Sequence, residues 1–218
     1  MDTRPYRSLR PVAGALIAAA LTLTALPALA APACPSGLPP GVFCGGEDIT
    51  AATAGTYALD PAHAAVVAKV SHLGYSYSVF RFDKLEGTLT WDPAAPQRSK
   101  LAVTVETGSI ATNVPGFAAQ LSGEGYLKSR AFPKATFAST AFRRSDATHG
   151  KVDGTLTLMG KTVPVTFDVT LVGAGKGFGK PRIGVEARAM LDPASIGLPP
   201  VLNQPIQLTV DAEFERKP

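Results

Sequence analysis

The chain is poor in the residues that carry most covalent and metal chemistry. Its 218 residues include two cysteines and three histidines. It has no G-x-S-x-G, S-x-x-K or H-E-x-x-H pattern, which excludes the familiar serine-nucleophile and zinc-hydrolase arrangements. A strong charge of either sign is also missing: 21 Lys and Arg stand against 17 Asp and Glu. Without residues 1–30 the balance becomes 18 against 16, a net of +2, so the composition supplies no electrostatic attraction to nucleic acid or acidic lipid. Long apolar runs are absent beyond the first thirty residues. There, Arg4, Arg7 and Arg10 precede an apolar core from Val12 to Leu26, and Ala28-Leu29-Ala30 follows as a small-residue cleavage site. Pro27 stops the run short of the ~20 residues that span a bilayer, so the stretch reads as a secretory signal peptide, with a retained anchor as the alternative.

The two cysteines, Cys34 and Cys44, sit in the Pro/Gly-rich segment just beyond that site. In an exported protein the economical reading is a disulfide closing a small loop. Lipidation of Cys34 is the alternative, against which Ala31-Pro32-Ala33 makes a poor lipobox. Residues 31–55 read as an arm with little to build a core from. The remaining residues, 56–218, suit one barrel or sandwich with a sizeable core.

What the mature chain does have is one-sided alternation. In Lys151 to Leu171, the side chains of Leu156, Leu158, Val165, Phe167, Val169 and Leu171 fall on one face and Thr155, Thr157, Thr166, Asp168 and Thr170 on the other. Met159-Gly160-Lys161 between the two runs predicts an antiparallel hairpin with one dry face. The same period recurs at Val66 to His72, Leu85 to Trp91, Leu101 to Val105, Ala135 to Arg143, Ile183 to Leu191 and Ile206 to Phe214. Tyr75 to Phe82 is aromatic and irregular, and Pro115 to Leu127 reads as a short, glycine-weakened helix that serves as a lid or plug. About eight strands, each with one apolar face, must share one interior, and closing the sheet removes its exposed edges.

The polar candidates are few. His63 and His72 flank one strand, which leaves a two-histidine metal site open beside a hydrogen-bonded structural role. The glycines of Gly173 to Gly179 do not match a phosphate loop and read as a mobile hairpin loop. Glu86, Glu106 and Glu124 read as solvated surface. The aromatics, among them Trp91, Phe137, Phe167 and Phe214, either fill a core or line a space for one elongated ligand, as eight-stranded barrels do in either form.

Five separated motifs carry a resemblance. They are His72-Leu73-Gly74, Phe82-Asp83-Lys84 with Glu86-Gly87-Thr88-Leu89, Ser109-Ile110-x-Thr112-Asn113, Phe132-Pro133-x-Ala135-Thr136-Phe137, and Gly154-x-Leu156-Thr157-Leu158-x-Gly160 with Pro164-Val165. In order and spacing they resemble the YceI-like family over about residues 56–215. The resemblance implies an all-β fold, an extended antiparallel eight-stranded lipocalin-like β-barrel with a short helix, exported to the periplasm. Its tunnel would hold a long polyisoprenoid or similar amphiphile, with a quinone as one ligand class and a membrane b-type cytochrome as a possible partner. Neither cofactor nor metal is expected. Where the family usually carries polar residues at the start of its helix, this chain reads Phe117-Ala118-Ala119-Gln120-Leu121. Tyr126-Leu127, Met159 and Pro193 to Gly197 depart as well, so head-group contacts made at those positions are missing here.

The leading expectation is a periplasmic carrier that binds a long-chain isoprenoid without turnover. Val66, Val70, Phe80, Phe82, Leu89, Trp91, Val103, Val105, Phe117, Leu121, Phe137, Leu156, Leu158, Phe167, Val185 and Leu208 would line the tunnel, with His72, Tyr75 and Tyr77 as polar contacts near a mouth. The rivals are an enzyme using His72 as acid or base, and a filled barrel serving as a secreted interaction module. A homodimer is left open.

Overall fold

Local turn chemistry sets the central hairpin. In the computed structural model, which describes residues 34–218, Met159 and Gly160 take φ of 51° and 75°. Two consecutive left-handed residues give a tight turn whose twist matches that of the flanking strands. The hairpin then pairs without a break from Leu158 opposite Lys161 to His149 opposite Thr170. The signal peptide and cleavage site read in residues 1–30 lie outside the described residues.

Ten strands follow in chain order: β1 (Gly55–His72), β2 (Ser76–Phe82), β3 (Leu85–Trp91), β4 (Lys100–Glu106), β5 (Ile110–Ala111), β6 (Lys134–Arg144), β7 (His149–Leu158), β8 (Lys161–Gly175), β9 (Arg182–Leu191) and β10 (Ile206–Arg216). One helix, α1 (Phe117–Ser122), lies between β5 and β6. Eight strands form a closed antiparallel ring in the order β1, β10, β9, β8, β7, β6, β4, β3 and back to β1. They are the eight segments whose alternation marks a dry face in the sequence. Because successive side chains along each pleated strand point to opposite faces, every second one around the ring points into one interior.

At 18 residues, β1 spans ~60 Å and serves two partners along one edge. Its first part pairs with β3, and its second part pairs with β2. Beyond Tyr75, which lies in the turn, the segment to Phe82 is therefore a regular strand, not an irregular one. Tyr77, Val79 and Arg81 occupy one face and Ser78, Phe80 and Phe82 the other, so apolar groups on both faces hide the period of two. Between Leu59 and Ala64 the four residues 60–63 of β1 lie opposite Glu213 alone on β10, a bulge in which Pro61 donates no ladder hydrogen bond.

Both ends of the barrel are built over. At one end α1 packs Leu121 and Phe117 against the core, and Ile196 joins them from the Pro-rich loop before β10. At the other end the chain just after the disulfide Cys34–Cys44 crosses the rim. Gly46 exchanges backbone hydrogen bonds with Ala174, at 2.9 and 2.7 Å, and Phe43 N–H donates to Gly177. Gly45 and Gly173 meet backbone to backbone, so close that a Cβ on either would lie 3.2 Å from the other chain. This segment, expected to contribute little to a core, buries Ala52 fully and places Ile49 against the barrel interior.

The bulge gathers charge around Arg182, whose side chain is 15% exposed. It donates to Asp60 at 2.8 Å, Glu213 at 2.9 Å and Glu215 at 2.5 Å. His63 lies 2.9 Å from Asp60. The hydrogen bond from His63, then that from Arg182, holds the Asp60 carboxyl down at about 2. The Asp60 hydrogen bond raises His63.

Two predictions follow from this architecture. Asp60 titrates lower in the folded chain than its ordinary 3.8, so its contribution is complete above that value and lost as pH falls toward about 2. Asp60→Asn should therefore flatten the loss of Tm over this acid range relative to wild type, and an unchanged slope would contradict the assignment. His63 acts oppositely: its contribution is complete below 6.5 and lost as pH rises through its higher folded value. Second, a Cβ on Gly154 would strike the Phe137 ring and stand 2.5 Å from the Ala138 carbonyl oxygen. Gly154→Ala should cost about 1–3 kcal/mol in urea unfolding.

Candidate ligand-binding cavity

The inward side chains do not meet across the middle of the ring. They surround a cavity of about 290 Å³, close to the lower end of the roughly 300–1,000 Å³ usual for small-molecule sites. Its wall comes from nearly every strand: Val66 on β1, Phe82 on β2, Leu89 and Trp91 on β3, Val103 and Val105 on β4, and Phe137 on β6. Leu156 and Leu158 on β7, Phe167 and Val169 on β8, Val185 and Ala187 on β9, and Leu208 and Val210 on β10 complete it. Phe137 and Phe167 meet edge to face at 5.2 Å and brace the β6 and β8 sides against each other. The cavity lies between two buried clusters, one under α1 and one under the segment that carries Ile49.

The remaining residues read as tunnel lining sit elsewhere. Val70, Phe80, Phe117 and Leu121 belong to the cluster that closes the α1 end, where Phe80 and Phe117 pack with ring centroids 6.1 Å apart. The apolar residues at the start of α1 thus have a packing role. His72, Tyr75 and Tyr77 do not approach the cavity: all three are exposed on the β1–β2 hairpin. That hairpin extends beyond the last β1–β10 pair, Lys69 with Gln207, which carries these side chains away from the interior.

Polar lining is concentrated at the opposite end, on the β6–β7 turn. Arg143, Arg144, Asp146, Thr148, His149 and Lys151 reach the cavity there, beside Ile49 and Pro96. Asp146 organises the turn. Its carboxylate accepts from the Thr148 and His149 backbone N–H groups, each at 2.8 Å, and lies 3.0 Å from His149 Nδ1. Those contacts, the Thr148 backbone first, hold its pKa at about 2. Arg144 Nε donates to the Asp146 carbonyl at 2.6 Å. Arg143 pairs in two places with Asp153, and Lys151 pairs with Asp168. The rim is therefore polar but internally paired. Sequence reasoning missed it, although Arg143 to His149 is an uninterrupted polar turn but for Ala147.

The chemistry available is limited. Among the described residues His149 is the histidine that lines the cavity. Asp146 and Thr148 both meet its Nδ1, so Thr148 is not placed as a nucleophile on the ring nitrogen opposite the carboxylate. Asp60, His63 and Glu213 present ligand atoms close together, but Arg182 already donates to both carboxylates. His72 lies on the distant hairpin, so the two histidines that flank the predicted strand do not form a shared metal site.

A closed eight-stranded antiparallel barrel around an apolar cavity is an architecture shared by barrels that enclose one small ligand. Residues 57–214 match the YceI-like domain, and the chain belongs to that family. It is 36% identical over 154 residues to a UPF0312 protein of Pseudomonas putida (strain W619), covering 69% of this chain and 80% of the relative. The crystal structure of a Campylobacter jejuni YCEI protein superposes with a TM-score of 0.62 at 26% identity, covering 69% of this chain and 91% of that one. A polyisoprenoid binding domain from Saccharophagus degradans, implicated in plant cell wall breakdown, shares the fold with a TM-score of 0.53 at 16% identity. That match covers 74% of this chain and 98% of the other.

Proposed function

We propose that this protein holds a long-chain isoprenoid or a similar amphiphilic lipid in its barrel cavity, as an exported carrier that does not turn its ligand over. The observation that carries this reading is the apolar space left between the Phe137, Phe167, Val103 and Val185 side chains, where a filled barrel would have none. The Saccharophagus degradans domain, described as polyisoprenoid binding, supports the ligand class. If about ten ligand methylenes enter at ~0.8 kcal/mol each, the gross ~8 kcal/mol gives micromolar affinity before ordering costs.

In this reading the tail lies along the barrel and the polar head rests at the β6–β7 rim, where hydrogen-bonding groups line the wall. An isoprenoid quinone or a polyprenol fits that division of apolar and polar lining. The disulfide Cys34–Cys44 supports residence in an oxidising compartment, with the periplasm as the proposed location. A membrane b-type cytochrome is a partner compatible with a quinone cargo.

Trp91 lies in the cavity wall, and its indole N–H is buried without a hydrogen-bond partner, which makes it a native reporter. Titration with a polyprenol or a quinone should change Trp91 fluorescence saturably at micromolar concentrations or below. Val103→Phe, which occupies cavity space, should weaken that binding about tenfold or more while leaving Tm unchanged or higher. A flat titration in wild type, or equal affinity in Val103→Phe, would contradict binding inside the barrel.

A further inference from the structure

We infer that the β1–β2 hairpin tip is a bilayer-docking element that places the α1 end of the barrel on an anionic membrane surface. Its four large apolar or aromatic side chains are unpacked: Tyr75 is 88% exposed, Leu73 78%, Tyr77 54% and Val79 49%. A hairpin whose role was only to turn would not select them. Leu73 and Gly74 take φ of 54° and 78°, the same tight turn as Met159-Gly160, which sets the leucine side chain at the tip. Packing does not account for so exposed a leucine beside two exposed tyrosines, and a cluster of this kind points to a contact outside the chain.

The chemistry of the patch selects the partner. Tyrosine joins an apolar ring to a polar hydroxyl and favours the membrane–water boundary, and a leucine at the tip supplies a group to bury below it. Lys69 lies on the hairpin itself, and Lys128, Arg130 and Lys161 lie at the same end of the barrel. Among the described residues none of these four makes a salt bridge, whereas Arg81, Lys84 and Lys134 nearby pair with Asp83, Glu106 and Glu86. Glu124 and Asp192 offset part of the free charge at this end, leaving a surplus of cations. Net charge across the whole chain hides it, because the attraction depends on where unpaired charges sit.

Docking here is separate from the cavity reading, though the two combine: the end brought to the bilayer is the one closed by six-residue α1, with Gly116 and Gly123 at its boundaries. The test is flotation of the full mature chain with vesicles of phosphatidylethanolamine and phosphatidylglycerol, and with phosphatidylcholine alone. Wild type should float with the anionic vesicles, less so as salt rises. The variant Leu73→Asn/Tyr75→Ser/Tyr77→Ser should bind about tenfold or more weakly while keeping wild-type Tm and Trp91 titration. Phe43→Ser, at an exposed aromatic on the opposite end, should float as wild type does. Absence of wild-type flotation, equal flotation of the triple variant, or a concentration-dependent dimer abolished by that variant would overturn the assignment. Loss of the Trp91 signal with flotation intact would instead count against the cavity reading alone.

Discussion

Pairing of β1 with β10 closes the sheet, and the rest of the molecule depends on that closure. From Tyr57 opposite Arg216 to Lys69 opposite Gln207, the two strands meet antiparallel despite the bulge at residues 60–63. Once the ring has eight members, backbone hydrogen bonding sets its circumference, and side chains must adapt to the space inside. Large inward residues such as Phe137 and Phe167 brace the wall, while Val103, Val185 and Ala187 are too small to reach across. An elongated apolar cavity is the consequence. Losing a core-filling contact leaves wall atoms without partners, a deficit that an apolar ligand would make good.

The two ends meet the problem of an open barrel differently. At one, α1 and Ile196 insert side chains, and Phe117 and Ala118 at the start of the helix pack against the core. At the other, backbone rather than side chains makes the seal: Gly45 and Gly173 approach so closely that a Cβ would be crowded at 3.2 Å, and Gly46 adds a bridge to Ala174. The disulfide ties off the loop that leads into this seal. Polar groups reach the cavity mainly there, at the Asp146-centred turn, so the interior has a dry end and a wet one.

The ring strands were legible in the sequence because each carries apolar groups on one face only, as in Leu156 and Leu158 against Thr155 and Thr157. β2 was hidden for the converse reason: Tyr77 and Val79 face outward, so both faces look apolar. The first half of β1 was obscured by Pro61 and the bulge that admits it. Inward positions on the ring strands could be assigned from alternation, and Val66, Leu89, Val105 and Leu208 line the cavity. Alternation does not say where along the barrel a side chain lies, so Phe80, Phe117 and Leu121 were grouped with them although they close the end. Nor does it report which end of β1 projects, which is why His72, Tyr75 and Tyr77 looked like neighbours of a mouth. The seat of Ile49 arises from contacts between segments far apart in sequence, which no local pattern announces, whereas the β6–β7 rim is a local polar turn whose place on the cavity wall follows only from closure of the ring.

The central claim is that the cavity is a place for a lipid and not an accident of packing. Native mass spectrometry of the protein purified from the cells that produce it, with extraction and identification of whatever is released, tests it most directly. The account predicts one stoichiometric long-chain isoprenoid or related amphiphile per chain. Protein recovered empty from those cells would contradict it and would favour a barrel whose function lies on its outer surface.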